Sequence, residues 1–192
     1  ISFRAHVMAV DRVEQRLRLV TTTLDRAGVP YAIVGGNAVA AWVGRVDPGA
    51  TRATKDVDVL VRRADLERVT AALTGVGLIR EDLRSLVLFI DPAEPSRKSG
   101  VHLVWASEPI RPSYEVPAPD VEEAVRDPEG FAVLSLEALV RMKLTSFRDI
   151  DRVHVGDMLG VGLITDEVRS GLPVSLRERL TAIEDGREDP EA

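Results

Sequence analysis

The sequence predicts an α/β protein of the α+β type, in which a small mixed β-sheet is flanked by helices and followed by a helical C-terminal part. Three observations support this fold class. In the first 115 residues, short apolar runs bounded by turn residues alternate with segments of helical periodicity. Four prolines lie between residues 107 and 119, and helical patterns follow them. The 192 residues, 45% of them hydrophobic, are enough for one globular domain with a small appendage.

The first half alternates helices and strands. Val13, Leu17, Val20 and Leu24 share one helical face, and the turn at residues 28–30 ends that helix. The polar loop between the last two strands favours a hairpin. In chain order, we predict a helix at 9–27, a strand at 31–34, a helix at 37–43, a strand at 56–61, a helix at 64–74, and strands at 85–90 and 100–105.

The second half is predicted to be helical, with helices at 135–147, 152–159, 165–170 and 175–184. The acidic end of the chain has no periodicity, and we expect it to fray. The resulting division is an α/β core at 1–115, a helical subdomain at 116–184 and a disordered tail at 185–192.

Composition excludes several classes of function. The formal net charge of -6 argues against broad nucleic-acid binding. The absence of cysteine excludes disulfides and thiolate metal sites, so any metal must use oxygen or imidazole ligands. No apolar stretch approaches the roughly 20 residues of a membrane span, and no signal-peptide pattern is visible. We therefore expect a soluble cytoplasmic protein.

Gly35 and Gly36 follow the first predicted strand and precede a helix. Backbone N–H groups at a helix N-terminus have no partner within the helix and carry partial positive charge, so they bind phosphate oxygens well. Two glycines let a ligand approach the backbone closely. An ordinary strand-to-helix turn is the alternative interpretation.

Asp56 and Asp58 lie two residues apart on a predicted strand. Their side chains point the same way, with Cα atoms about 6.6 Å apart, so one divalent cation can bridge both carboxylates. Two like charges on one strand face repel each other unless something compensates, and aspartate is disfavoured in strands. The alternative is an amphipathic strand with a solvated polar face. With the glycines, these residues describe a site for a metal-bound nucleoside triphosphate.

The segment Thr51-Arg52-Ala53-Thr54-Lys55 leads directly into Asp56. It places cations and hydroxyl groups beside the expected triphosphate. Arg52 is the preferred phosphate contact because its planar guanidinium matches phosphate oxygens. A solvated basic loop is the alternative.

The string Val34-Gly-Gly-Asn-Ala-Val-Ala, followed by Thr51-Arg-Ala-Thr-Lys-Asp-Val-Asp-Val-Leu, resembles the signature of the nucleotidyltransferase superfamily typified by DNA polymerase β. It looks most like the AbiEii-like toxins and the lincosamide-type antibiotic nucleotidyltransferases. The resemblance covers residues 31–61. It implies that the two aspartates hold Mg²⁺, with Mn²⁺ as a second candidate. It also implies an NTP donor held by Gly35, Gly36, Asn37, Arg52 and Thr54.

Residues 136–157 resemble the helical segment of AbiEii-like proteins, in which a lysine is followed by arginine and aspartate residues. The resemblance implies that Lys143 neutralises triphosphate charge. Asp151 is expected either to pair with Arg148 or to face the acceptor. For Asp149, Asp151 and Asp157, salt bridges on an ordinary helix are the alternative.

The third carboxylate that the superfamily usually carries on a later strand is missing. His102 stands at the expected position, within Gly100-Val-His-Leu-Val-Trp105. Histidine can act as a base near neutral pH or bind a metal, but it is a poor ligand for Mg²⁺. Asp91, at the end of the preceding strand, is a candidate substitute. A purely structural histidine is the other interpretation.

The leading hypothesis is an Mg²⁺-dependent nucleotidyltransferase that moves an NMP from an NTP to a hydroxyl of a small molecule, an RNA or a protein, as a candidate toxin–antitoxin component. Asp56, Asp58 and His102 are its expected catalytic residues. The first alternative is an inactive protein of the same fold that binds nucleotide or a partner protein. The second is a structural α/β domain in which both motifs are incidental.

Overall fold

The computed structural model describes residues 3–188. The helices in this range are α1 (Phe3–Arg26), α2 (Gly35–Gly44), α3 (Leu66–Gly75), α4 (Leu136–Ser146), α5 (Asp149–Gly160), α6 (Asp166–Ser170) and α7 (Val174–Glu188). The strands are β1 (Ala32–Ile33), β2 (Val57–Val61), β3 (Ile79–Leu83), β4 (Leu86–Ile90), β5 (Val101–Trp105), β6 (Ala124–Arg126) and β7 (Ala132–Leu134).

The strands form one mixed sheet in the order β3-β4-β5-β2-β1-β7-β6. Strand β2 pairs in parallel with β5 and antiparallel with β1, and β1 pairs in parallel with β7. Strands β4 and β5 form the antiparallel hairpin that their polar connection predicted. The predicted fold class, a mixed sheet flanked by helices, is confirmed.

The core lies between the sheet and the helices that cover it. On α1, the predicted inner face is confirmed, since Val20 and Leu24 are fully buried. On β2, the valines at positions 57, 59 and 61 are also fully buried. Because side chains alternate along a strand, this burial places Asp58 on the other face of β2. The strand begins one residue later than predicted, so Asp56 lies in the bend directly before it.

Three strands were missed by the sequence prediction. Three of the five residues of β3 are charged, and the strand lies at an edge of the sheet, where charged side chains remain in solvent. Strands β6 and β7 have three residues each, too few to show a period of two.

The expected boundary near residue 115 does not coincide with the end of the sheet. Strands β6 and β7 belong to the segment that was predicted to be helical, and helix α4 begins only at Leu136. The division into a core at 1–115 and a subdomain at 116–184 thus remains a prediction, with its helical part starting later than expected.

The chain ends also differ from the prediction. Helix α7 continues to Glu188, so the expected disordered tail is wrong for residues 185–188. Residues 189–192 lie outside the described part of the chain. Among the described residues, no helix is both long enough and apolar enough to cross a membrane.

Candidate active site

Parallel pairing of β2 with β5 brings the acidic pair and His102 together. Asp58 is the direct register partner of His102, and register partners on neighbouring strands carry their side chains on the same face. Nδ1 of His102 lies 3.5 Å from Oδ2 of Asp56 and 3.6 Å from Oδ1 of Asp58. One ligand atom from each of the three residues lies within 4.8 Å of the others. These three side chains form the acidic cluster.

The acidic cluster concentrates negative charge in a half-buried place. Burial and the neighbouring charge of Asp58 raise the pKa of Asp56 above its ordinary value. The Asp58 carboxylate, 3.6 Å from Nδ1, is the main cause of a raised pKa at His102. Both shifts indicate that the cluster favours added positive charge, either a proton or a metal cation.

The second ring nitrogen of His102, Nε2, is hydrogen-bonded to the backbone. It lies 2.7 Å from the backbone carbonyl oxygen of Arg97, in the short turn before β5. A carbonyl oxygen only accepts hydrogen bonds, so Nε2 carries the proton and donates it. Nδ1 is consequently the nitrogen that faces Asp56 and Asp58.

The glycine turn lies directly against the acidic cluster. Gly35 has a φ of +66°, and a Cβ atom built on it would lie 2.0 Å from Oδ2 of Asp58. The backbone N–H of Val34 donates to the carbonyl oxygen of Asp58 at 3.0 Å. At Gly36, a Cβ atom would lie 2.5 Å from the methyl carbon of Thr54. Glycine is therefore required at position 35 both by the backbone conformation and by the carboxylate beside it.

Asn37 and Thr54 were both predicted to bind nucleotide, but their side chains form hydrogen bonds within the protein. The amide nitrogen of Asn37 donates to the backbone oxygen of Asp56 at 2.6 Å, and the Thr54 hydroxyl donates to the amide oxygen of Asn37 at 2.9 Å. These bonds tie the first turn of α2 to the start of β2. In this structure, the two side chains position the glycine turn.

Arg52, the predicted phosphate contact, is paired with a carboxylate on α5. Its guanidinium donates to both carboxylate oxygens of Asp157 at 2.6 and 3.0 Å. More than half of the Arg52 side chain is exposed. A phosphate group would therefore have to compete with Asp157 for this guanidinium.

Lys143 is buried and pairs with Asp151. Its ammonium lies 3.0 Å from Oδ1 of Asp151, whose side chain is fully buried. Arg148 also donates to Asp151, from Nε at 2.7 Å, which confirms the expected pairing of these two residues. Burial alone would raise the pKa of Asp151, but the bonds from Arg148 and the Lys143 charge hold it well below its ordinary value. Asp151 is thus an ionised anchor for two cations.

Lys143 and Arg148, the two cations bound to Asp151, also interact with the charges of the acidic cluster. The Lys143 charge partly offsets the rise in the pKa of Asp56. The pKa of Arg148 is raised mainly by its bond with Asp151, with a smaller contribution from Asp58. Arg148 also keeps 55% of its side chain exposed. Lys143 on α4 and Arg148 at the start of α5 therefore bring two positive charges toward Asp56 and Asp58.

His154 lies on the same face of α5, between Asp151 and Asp157. Its Cε1 atom lies 3.7 Å from where a Cβ atom of Gly36 would be. Burial and the Lys143 charge lower the pKa of His154 to about 4, so the ring is neutral at neutral pH. Its Nδ1 atom is buried and has no hydrogen-bond partner among the described residues. Helix α5 thus packs a neutral ring against the glycine turn.

The remaining predicted carboxylates lie outside the acidic cluster. The Asp91 carboxylate accepts a hydrogen bond from the backbone N–H of Ala93 at 2.8 Å and so caps its own turn. Asp149 is exposed and pairs with Arg152, three residues further along the same helix. The arrangement gives His102, and not Asp91, the place beside the two aspartates.

A cleft of about 890 Å³ is lined by residues of α1, α2 and the segments 48–54 and 127–131. Asn37, Arg52 and Thr54 line it, as does the ion pair of Arg45 with Asp127. The acidic cluster does not line this cleft. The converging ligand atoms of Asp56, Asp58 and His102 thus lie apart from this cleft.

Comparison with solved structures identifies the class of fold. The antibiotic-resistance factor ANT(2'')-Ia in solution is similar to this chain with a TM-score of 0.60 and 18% identity, over 94% of this chain and 98% of that one. A crystal structure of ANT(2'')-Ia in complex with adenylyl-2''-tobramycin gives a TM-score of 0.56 and 16% identity, over 92% and 99% of the two chains. The protein therefore has the nucleotidyltransferase fold.

A second protein of that class is also similar. It is an antigenic nucleotidyltransferase-like protein from Paracoccidioides brasiliensis, with a TM-score of 0.61 and 18% identity, over 93% of this chain and 90% of that one. No protein-family profile and no curated protein sequence matches the chain. The resemblance to the nucleotidyltransferase superfamily is thus confirmed at the level of fold, and the likeness to AbiEii-like toxins remains a prediction.

Sequence reasoning missed three contributors to the site. Arg148 was considered only as a partner of Asp151, although it also lies near Asp58. The Arg97 carbonyl that orients His102 is a backbone group, for which the sequence has no signal. His154 was not considered in the sequence analysis. Its spacing of three from both Asp151 and Asp157 was the available clue.

Proposed function

We propose that the protein transfers a nucleoside monophosphate from an NTP to a hydroxyl acceptor in a reaction that requires a divalent cation. One observation carries the proposal, namely the contact between the glycine turn and the acidic cluster, in which Gly35 lies directly against Asp58. This contact places a helix N-terminus, which binds phosphate, beside two carboxylates that can bind a cation.

The residues that we assign to the cation fit one by the chemistry of their donor set. Asp56 and Asp58 offer carboxylate oxygens at the start of β2, and His102 offers Nδ1 within 3.6 Å of both. A bound cation would neutralise charge that develops on the phosphate oxygens. Mg²⁺ is the ion that the resemblance implies, with Mn²⁺ as the second candidate.

We assign the triphosphate to the first turn of α2, where the N–H groups of Gly35 and Gly36 have no partner within the helix. Lys143 and Arg148 supply positive charge, because Asp151 holds both of them near the aspartates. Arg52 would supply a third positive charge to the triphosphate once its bonds to Asp157 are broken. Each of these positively charged side chains would stabilise the charge of the transition state electrostatically.

In the proposed reaction, the acceptor oxygen forms a bond to the α-phosphorus while the bond to pyrophosphate breaks. The proton of the acceptor hydroxyl must leave during this step. Nδ1 of His102 is the candidate to receive it or to help hold the cation, since Nε2 already donates to Arg97. Both roles use the same nitrogen and therefore exclude each other in a single complex.

The acceptor is proposed by analogy. The similar enzyme ANT(2'')-Ia was crystallised with an adenylylated tobramycin. We therefore propose a small hydroxylated molecule as the first acceptor to test, followed by an RNA and a protein hydroxyl. A role as a toxin–antitoxin component, with a partner protein, follows only from the resemblance to AbiEii-like toxins.

A second candidate function is nucleotide or partner-protein binding without turnover. One observation favours it, since His102 occupies the place of the usual third carboxylate. Calorimetric titration with a non-hydrolysable NTP separates the possibilities. The proposed transferase should bind the NTP at least about tenfold more tightly with a divalent cation than with a chelator, which is about 1.4 kcal/mol.

The matched control for that titration is Asp149→Asn, because Asp149 is exposed and lies outside the site. It should bind the NTP like the wild type. Equal affinity of the wild type with cation and with chelator would support the non-catalytic binder, and the absence of any binding would support a purely structural domain.

A further inference from the structure

We propose that Asp56, Asp58 and His102 together select a first-row transition ion such as Mn²⁺ over Mg²⁺. The inference rests on the proposed function insofar as that function needs a cation at the acidic cluster. It goes further by assigning His102 as a ligand and by stating which class of ion the protein prefers.

The orientation of the His102 ring favours metal binding through Nδ1. Its Nε2 donates to the Arg97 carbonyl at 2.7 Å, which leaves the lone pair of a neutral ring on Nδ1. Metal-bound histidines commonly donate their second ring N–H to a backbone carbonyl or a carboxylate, which fixes the tautomer and the direction of the ligand nitrogen. The Arg97 carbonyl therefore prepares Nδ1 to bind a metal.

The spacing of the three donor atoms is compatible with a single bound ion. Nδ1 lies 3.5 Å from the nearer oxygen of Asp56 and 3.6 Å from that of Asp58. Two ligands at about 2.1 Å from an ion are about 3 Å apart when they occupy adjacent positions. Small side-chain rotations thus bring all three donors onto one ion. The partial exposure of all three side chains leaves room for phosphate oxygens as further ligands.

The donor set, two carboxylates and one imidazole nitrogen, favours a transition ion over Mg²⁺. Mg²⁺ is a hard cation that prefers oxygen ligands, and it gains little from an imidazole nitrogen. First-row transition ions bind imidazole better, and their affinity for nitrogen and oxygen sites rises from Mn²⁺ to Cu²⁺. Mn²⁺ is the weakest of the series, so a preference for Mn²⁺ over Mg²⁺ is a conservative test of the inference. A third carboxylate in place of His102 would shift the preference back toward Mg²⁺.

Competition between the two ions tests the inference in the full protein without an activity measurement. Mn²⁺ binding is followed by the loss of the electron paramagnetic resonance signal of free Mn²⁺, and Mg²⁺ is then added until half of the Mn²⁺ is released. In the wild type, we expect this to take at least about a hundredfold excess of Mg²⁺. In His102→Asp, the required excess should fall at least about tenfold. Asp91→Asn, a carboxylate variant outside the acidic cluster, should behave like the wild type.

A spectroscopic signature keeps the inference testable if His102→Asp does not fold. Electron spin echo envelope modulation of the wild-type Mn²⁺ complex should show coupling to a histidine ¹⁴N nucleus. Absence of this coupling, or the same Mg²⁺ excess in the wild type and in a folded His102→Asp, would overturn the assignment of His102. Absence of Mn²⁺ binding in the wild type, with and without a non-hydrolysable NTP, would instead overturn the cation site and the proposed function with it.

Discussion

Replacing Asp58 with asparagine should lower kcat/KM for nucleotidyl transfer by at least about a thousandfold, which corresponds to about 4 kcal/mol of transition-state stabilisation. Asp58 contributes to three features of the site. It is a proposed cation ligand, it lies against Gly35, and it is the register partner of His102. An amide has no charge to offer a cation, although its size is nearly the same. The rate is measured as pyrophosphate release over a range of NTP concentrations at saturating cation, which gives kcat/KM.

The stability of Asp58→Asn should change little. The variant loses the attraction between Asp58 and His102, but it also relieves the repulsion between Asp58 and Asp56. Because these effects oppose each other, we expect the free energy of unfolding to change by less than about 1 kcal/mol. A lost reaction in a stable protein identifies a chemical role for Asp58. Full activity in Asp58→Asn, or an equal loss in the exposed control Asp149→Asn, would contradict this role.

Gly35→Ala should be the most damaging single substitution in the glycine turn. The φ of +66° costs an alanine about 1–2 kcal/mol. The new Cβ would also lie 2.0 Å from Oδ2 of Asp58, so the carboxylate or the backbone must move. Such overpacking costs about 1–3 kcal/mol more. We expect a total near 3 kcal/mol, which lowers the midpoint of thermal unfolding by about 6–12 °C.

Gly130→Ala is the matched control for this substitution. Gly130 also has a positive φ, of +94°, but nothing lies within 4 Å of its added Cβ. It should therefore show only the backbone cost and keep its affinity for the cation. Gly35→Ala should lose that affinity, because Asp58 is displaced. Equal destabilisation of the two variants, with cation binding intact in both, would show that the contact between Gly35 and Asp58 is unimportant.

The centre of the site was predictable because it depends on local patterns. The buried valines of β2 require Asp58 to face away from the core, and Asp56 lies in the bend that leads into the strand. The glycine turn follows from an apolar run and the start of a helix. His102 was found because the resemblance implies a third carboxylate on a later strand, and the structure places His102 in register with Asp58.

The periphery of the site was not predictable, because it depends on tertiary packing. Whether Arg52 binds phosphate or Asp157 is decided by the position of α5, 105 residues away in sequence. Asn37 and Thr54 carry polar groups that suit a nucleotide equally well, but the structure uses them to bond α2 to β2. The burial of Lys143 with Asp151 likewise depends on how α4 packs against α5.

The missed strands illustrate the same limit. Strand β3 consists mostly of charged residues and exists because β4 offers it a hydrogen-bonding edge. Strand β7 has a single register pair with β1, and its three residues show no pattern of their own. Pairing energy from the neighbouring strand, rather than local propensity, determines both elements.

The most direct test of the central claim is the fate of a labelled phosphate. The protein is incubated with a divalent cation and an NTP that carries the label at either the α or the γ position, in the presence of tobramycin, tRNA or a protein acceptor. The account predicts that the α label becomes attached to an acceptor and that the γ label leaves as pyrophosphate. Transfer of the γ label to the acceptor, or attachment of the α label at the same rate after cation removal, would contradict it.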